Sequence, residues 1–176
     1  DLEMNKDYRE NYTSGHIRSL KKFEKQDFDI IINQDYEELM KEFIVVNSQK
    51  FHIGSKFEEN FQRLIPLFKN SESTKIISLF KGSERIASSL FAGFGNRFIF
   101  LLSYSNNTSR NAGGTHGIID HWLNNYSKDY EVLDFEGGNL PSLSRFYFGF
   151  GAKAERYLYL QNHDFPFNIV FKKSDL

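Results

Sequence analysis

The sequence has no cysteine, which excludes disulfide cross-links, thiolate nucleophiles and cysteine metal sites and leaves the compartment open. No apolar run approaches the roughly 20 residues of a membrane-spanning helix. The polar opening from Asp1 to Arg18 does not have the form of a secretory signal. A cytoplasmic protein with no membrane span is therefore expected. Net charge is nearly absent as well: 22 basic and 23 acidic residues leave -1 at pH 7. Non-specific phosphate binding needs a concentrated excess of Lys and Arg, so no DNA partner is expected and only a local basic patch fits the composition. The five histidines, His16, His52, His116, His121 and His163, form no helical i, i+4 pair, and without cysteine no metal site is expected. His116 and His121 are too far round a helix to share an ion easily and read as cap or surface residues. A Gly-x-Ser-x-Gly elbow is missing, and Gly82-Ser83 does not supply one, which sets serine hydrolysis aside.

What the chain does have is aromatic mass, with 19 Phe and 9 Tyr against 1 Trp in 176 residues. That load suits strands and a filled core, so a mixed α and β fold is expected, as one domain over residues 1–176. Tyr8 to Lys25 has helical spacing and a basic face of Arg18, Lys21, Lys22 and Lys25, which makes residues 1–26 a leading helical segment. A strand over Phe28 to Ile32 precedes a helix capped at Asn33 or Asp35 and running through Val46. The next helix, Lys56 to Lys69, is expected to bury Phe57, Phe61, Leu64 and Phe68 on one face. Thr74 to Phe80, Arg85 to Phe94 and Arg97 to Tyr104 read as an antiparallel meander with turns at Gly82-Ser83 and Gly95-Asn96. A polar loop from Ser105 to Gly114 leads into a helix over Thr115 to Tyr126 and a strand over Glu131 to Phe135. A turn over Glu136 to Asn139, a short helix over Pro141 to Phe150 stopped at Gly151, and strands over Lys153 to Leu160 and Asn168 to Lys172 complete the chain. The expectation is one mixed sheet of about six or seven strands, with the helices from Lys56 and Thr115 packed on it.

Two segments have the residue types that chemistry needs. In Arg110-Asn111-Ala112-Gly113-Gly114-Thr115, glycines allow backbone to approach an anion, amides at the start of the following helix point at it, and Arg110 adds a charge-assisted bond. A surface loop with a helix cap fits the same residues. The second segment runs from Leu133-Asp134-Phe135-Glu136-Gly137-Gly138-Asn139 to Arg145-Phe146-Tyr147-Phe148-Gly149-Phe150-Gly151-Ala152. Asp134 shares a face with Glu136 if the strand stays regular that far.

The element order and these segments resemble the GNAT superfamily of acyltransferases, and the second segment looks like the C-terminal GNAT-like domain of FemAB-like proteins. Tyr8, Asn11, Arg18, Leu20 and Lys22 are similar to the helix that precedes that domain. The resemblance implies a GNAT fold: a mixed, largely antiparallel sheet flanked by helices. It implies an acyl-CoA donor, acetyl-CoA first, whose pyrophosphate lies on Arg110, Gly113, Gly114 and Thr115, with Asn139 also on the donor; Thr115 stands where the superfamily has Gly or Ala. Tyr147 then protonates the departing thiolate, and Glu136 deprotonates the amine. Tyr147 as a core aromatic and Glu136 as a solvated turn acid remain the plain alternatives. The acceptor implied is a small-molecule or cell-envelope amine. Aminoacyl-tRNA is the alternative donor, as used by FemAB peptidyltransferases, and a non-catalytic GNAT-like binding module is the rival from another class. FemAB-like chains carry a further GNAT-like domain ahead of this one, so Asp1 reads as an internal start.

Overall fold

Two glycine turns set the sheet. The computed structural model describes residues 2, 7–51, 55–156, 159–162 and 169–172. In it, Gly82 (φ 60°) and Gly95 (φ 59°) each open a two-residue hairpin loop, joining β2 (Thr74–Lys81) to β3 (Glu84–Phe94) and β3 to β4 (Arg97–Ser105). Glycine supplies a positive φ at the first loop residue without steric cost. β1 (Asp29–Asn33) lies antiparallel to β2 and β5 (Val132–Asp134) parallel to β4, in the order β1-β2-β3-β4-β5. The fold is thus mixed α and β, with an open, mostly antiparallel sheet flanked by helices.

The sheet itself is smaller than expected. Instead of six or seven strands in one sheet, a five-stranded sheet is accompanied by a separate antiparallel pair, β6 (Tyr159–Asn162) and β7 (Ile169–Lys172). The strand predicted from Lys153 is corrected: residues 152–156 form no strand, because 153–156 are all exposed and have no face to bury. Asp1, His52, His163, Asn168 and residues 157–158 lie outside the described residues.

Helices cover both faces. On one, α2 (Tyr36–Phe51) and α3 (Ser55–Lys69) bring Tyr36, Leu39, Met40, Phe61 and Ile65 onto Ile76, Leu90 and Leu102. Ile65, not Leu64, is buried on α3, since the buried stripe runs through 57, 61, 65 and 68 and turns Leu64 outward at 41% exposure. On the other face, α5 (Gly114–Tyr126) places Ile118, Ile119, Trp122 and Leu123 with Ile77, Leu79, Phe91, Phe98 and Phe100. Trp122 stacks on Phe91 and Phe98 with ring centroids 5.7 and 4.8 Å away.

The polar stretch predicted as a loop is a helix, α4 (Asn107–Ala112). Asn106 caps it by accepting from the Ser109 amide at 3.0 Å, and Gly113 ends it at φ 78°. Only Ser109 is buried, which is why the segment reads as polar.

The single leading helix is also corrected. It breaks into a 3-10 turn (Tyr8–Asn11) and α1 (Ser14–Phe23), with extended backbone at Tyr12 and Thr13 between them. Four glycines seat this leading segment on α5 and on α6 (Pro141–Phe148) with the turn after it. A Cβ would strike the Ser19 carbonyl oxygen at Gly113, the Phe23 ring at Gly117 and the His16 ring at Gly149, and at Gly151 it would meet Asn11 Cβ at 2.6 Å. Arg9 clamps the contact, donating to both oxygens of buried Asp120 at 3.0 and 2.7 Å, while the Tyr12 hydroxyl donates to the same carboxylate at 3.3 Å.

His16 joins α1 to α6. Its Nε2 is 2.8 Å from the Phe146 carbonyl oxygen, so Nε2 carries the proton and donates, and Nδ1 accepts from the Thr13 hydroxyl at 3.1 Å. His116 is not the cap or surface residue expected: its ring packs on His16, Phe146 and Phe150 at 4.6, 5.0 and 5.6 Å. Burial first, and His16 second, bring His116 down to about 4, and burial lowers His16. Because the folded His116 titrates below the unfolded value of 6.5, the unfolded chain binds more protons between roughly pH 6.5 and 4. Stability is full above that window and is lost as pH falls through it. The melting temperature should drop by several degrees between about pH 7 and pH 5, and His116→Phe should flatten the curve. Equal slopes for parent and variant would contradict the assignment.

Candidate functional site

The ladder between β4 and β5 is short. It pairs Arg97 with Val132, Phe98 with Leu133 and Ile99 with Asp134, after which β4 continues to Ser105 and β5 stops. Asp134 explains the stop. One carboxylate oxygen accepts from Arg97 at 2.7 Å and the other from the Glu136 amide at 2.9 Å, closing a tight turn in which Glu136 (φ 52°) and Gly137 (φ 61°) are both left-handed. Arg97 also reaches Glu155 at 3.4 Å.

β4 departs from regularity at the same level. Opposite β3, Leu90 pairs with Leu102 and Phe91 with Phe100, so Leu101 is the extra residue of a β-bulge, 41% exposed. The bulge reverses the side-chain alternation. Phe98 and Phe100 face α5, whereas Leu102 packs with α2 and α3. A fork therefore opens between the strands, with a bulged backbone on one arm and a tight turn on the other.

Tyr147 lies across the base of this fork. Phe100 and Phe135 are the first residues beyond the last pair on each strand, with centroids 6.0 Å apart, and the Tyr147 ring stacks on Phe135 at 4.6 Å and meets Phe100 edge-on at 6.3 Å. α6 holds it there. Pro141 opens the helix, and the Ser144 hydroxyl ties back to the Gly138 carbonyl. Burial pushes the Tyr147 phenol up to about 12, so it is protonated throughout the physiological range, and among the described residues nothing accepts its hydrogen bond.

The other predicted site residues fall into two groups. Glu136 and Asn139 are exposed in the β5–α6 connection, beside the fork. Asp134 and Glu136 do not share a strand face, because the strand ends at Asp134 and the Asp134 carboxylate is engaged by Arg97 and by the Glu136 backbone. Arg110 lies exposed on α4 and donates to the Asn107 side chain at 2.8 Å. Gly113 and Gly114 are buried, Gly113 against Ser19 and Gly114 against the Ser109 hydroxyl, and half-buried Thr115 lies in the first turn of α5. The packing of α1 and α4 thus accounts for both glycines. Sequence reasoning missed the bulge at Leu101, the Arg97–Asp134 pair and the His16–His116 contact. Only the bulge left a trace, in the broken alternation of Phe98-Ile99-Phe100-Leu101-Leu102. Among the described residues no group of acids and histidines could hold a metal ion, and no helix is long and apolar enough to cross a membrane.

The sequence matches no protein-family model and no curated protein. In structure the chain is similar to a possible acetyltransferase from Clostridium difficile, with a TM-score of 0.60, 10% identity, and coverage of 78% of this chain and 98% of that one. It is also similar to an integron cassette protein from the mobile metagenome of V. cholerae (TM-score 0.57, 17% identity, 80% and 94% coverage). A third likeness is to a ribosomal-protein-alanine N-acetyltransferase from Brucella melitensis biovar Abortus (TM-score 0.53, 10% identity, 80% and 99% coverage). At these identities the likeness is one of fold alone.

The turn at Glu136 generates a direct test. A non-glycine residue at φ 52° carries a left-handed penalty that glycine escapes, offset in part by glycine's greater freedom in the unfolded chain. Glu136→Gly should therefore be neutral or stabilising, by up to about 1 kcal/mol in urea denaturation. A loss of more than about 1 kcal/mol would show that the side chain itself holds the turn.

Proposed function

We propose that the chain is an N-acyltransferase that moves an acyl group, acetyl first, from acyl-CoA to an amine by direct transfer. The observation that carries this reading is the fork between β4 and β5, bulged on one arm at Leu101 and closed at its base by the protonated phenol of Tyr147, which has no hydrogen-bond acceptor among the described residues. A bulge frees backbone polar groups from the ladder, and an amide released there can polarise a thioester carbonyl laid in the fork. The attacking amine must arrive unprotonated. Glu136, exposed beside the fork, is the proposed base. Tyr147 is the proposed donor of a hydrogen bond to the leaving sulfur.

The donor's phosphates are proposed to lie at the α4–α5 junction, with Arg110 supplying charge and Thr115 a polar group, while Gly113 and Gly114 set how closely α4 and α1 approach α5. Asn139 is proposed to bind the donor from the β5–α6 turn. The finer likeness to FemAB-like proteins rests on Leu133 to Asn139 and Arg145 to Ala152, and it keeps aminoacyl-tRNA as the alternative donor.

A second reading has one observation in its favour. Gly113 and Gly114 are buried where a Cβ would strike Ser19 and Ser109, a packing use of the glycines that suits a binding module keeping the fold without the reaction. Thermal-shift titration separates the two: a saturable rise in melting temperature with acetyl-CoA supports the enzyme, and no rise supports the module. For catalysis itself the decisive variant is Tyr147→Phe, which keeps the ring contacts with Phe135 and Phe100. Turnover should fall by roughly 10²–10⁴-fold with donor affinity nearly constant. A rate within about twofold of the parent ends the assignment of Tyr147.

A further inference from the structure

Five cations of the described residues are answered by acids. Arg9 pairs with Asp120 and Glu24, Lys41 with Glu38, Lys69 with Glu37, Arg85 with Asp35 and Glu42, and Arg97 with Asp134 and Glu155. The basic row at the end of the leading segment is not so answered. Arg18 and Lys22, spaced i, i+4 on α1, and Lys25 in the turn that follows it make no ion pair among the described residues, and Glu24, the acid between the lysines, is drawn to Arg9 instead. Lys22 and Lys25 line a groove of about 400 Å³ with Gln26, Thr108, Asn111 and Ala112. No carboxylate lines it. Two lysines, the Thr108 side chain and the side-chain amides of Gln26 and Asn111 line it, and Asn111 and Ala112 belong to the same segment as Arg110, Gly113 and Thr115, so the groove adjoins the α4–α5 junction.

We propose that this groove between the last turn of α1 and the outer face of α4 binds the phosphates of the donor's nucleotide end, with Lys22 and Lys25 as the charges that hold them. The inference rests on the acyl-CoA reading above and adds the leading segment to the donor site. Lysine is a compact point charge on a flexible stem, suited to phosphate oxygens in an open groove. The volume is that of a nucleotide-sized ligand, and the chain's net charge of -1 does not furnish the long cationic track that a nucleic-acid backbone needs. In this arrangement α1 has two jobs: its buried face packs against Gly113 and Gly117, and its exposed face offers charge to the ligand.

The test is calorimetric titration of the full chain with CoA and with pantetheine, which lacks every phosphate, for the parent and for the double variant Lys22→Glu, Lys25→Glu. Both side chains are exposed, and an unchanged melting temperature checks that the variant folds. CoA affinity is expected to weaken by about 10–100-fold in the variant and to become less salt-dependent, with pantetheine binding unaltered. CoA binding within about twofold of the parent overturns the groove and leaves the acyl-CoA reading standing. A parent that binds no CoA overturns that reading and this one with it. Binding of tRNA alone, lost in the variant, overturns the assignment to a small nucleotide donor.

Discussion

The early parting of β4 and β5 is the constraint around which the rest of the molecule is arranged. A parallel pair joined for three residues and then released would leave unpaired backbone on both arms, and an unpaired buried amide or carbonyl is costly. Each arm meets that cost locally. β5 turns away at once through the Asp134 carboxylate, which holds Arg97 and the Glu136 amide together, and β4 absorbs the change with a bulge. The aromatic wedge of Phe100, Phe135 and Tyr147 then fills the base, so the fork has a dry floor although its arms open. In the proposed reading that floor is what brings a phenol to the reacting atoms without exposing them to bulk water.

The leading segment depends on the same region from behind. It touches α5 through Gly113 and Gly117 and the end of α6 through Gly149 and Gly151, so one short stretch braces the two helices that flank the fork. Arg9 and Tyr12 fix it at Asp120, and His16 fixes it at the Phe146 carbonyl, one residue before Tyr147. The half-buried histidine pair makes this brace sensitive to acid.

Much of this was legible in the sequence because it follows from periodicity and turn chemistry. Gly82 and Gly95 announce their hairpins and the meander follows from alternating apolar runs, whereas the helix that Asn106 and Gly113 cap reads as a loop because only Ser109 within it is buried. What was not legible depends on contacts between distant residues. The Arg97–Asp134 pair joins residues 37 positions apart and the Arg9–Asp120 pair residues 111 apart, and nothing in either neighbourhood marks the partner. The glycines illustrate the ambiguity best. Gly113-Gly114 before a helix reads as an anion cradle, yet the absence of a Cβ serves just as well to let Ser19 and Ser109 approach, and only the packing distinguishes these uses. Leu64 and Ile65 show the smaller version: adjacent apolar residues on a helix compete for one buried stripe, and tertiary contact decides by a rotation of one position.

The environment of Tyr147 also limits what kind of donor it can be. Burial that keeps the phenol protonated, at about 12, also makes it a weaker acid than the departing thiol, whose usual value is about 8.5. Full transfer to a free thiolate would then run uphill by roughly 3–4 pKa units, about 5 kcal/mol, before any field from the bound donor is counted. A hydrogen bond to sulfur carries no such cost, and it strengthens as negative charge gathers there in the transition state. The same reaction releases a proton from the amine that has been acylated, and that proton can satisfy the thiolate once it forms. In the proposed mechanism, therefore, Tyr147 contributes chiefly by stabilising the departing sulfur through its O–H, and net protonation follows from the proton that the acceptor gives up. This division of labour suits a residue whose ring is locked between Phe135 and Phe100, since a fixed dipole aimed at developing charge needs no reorganisation when the bond breaks.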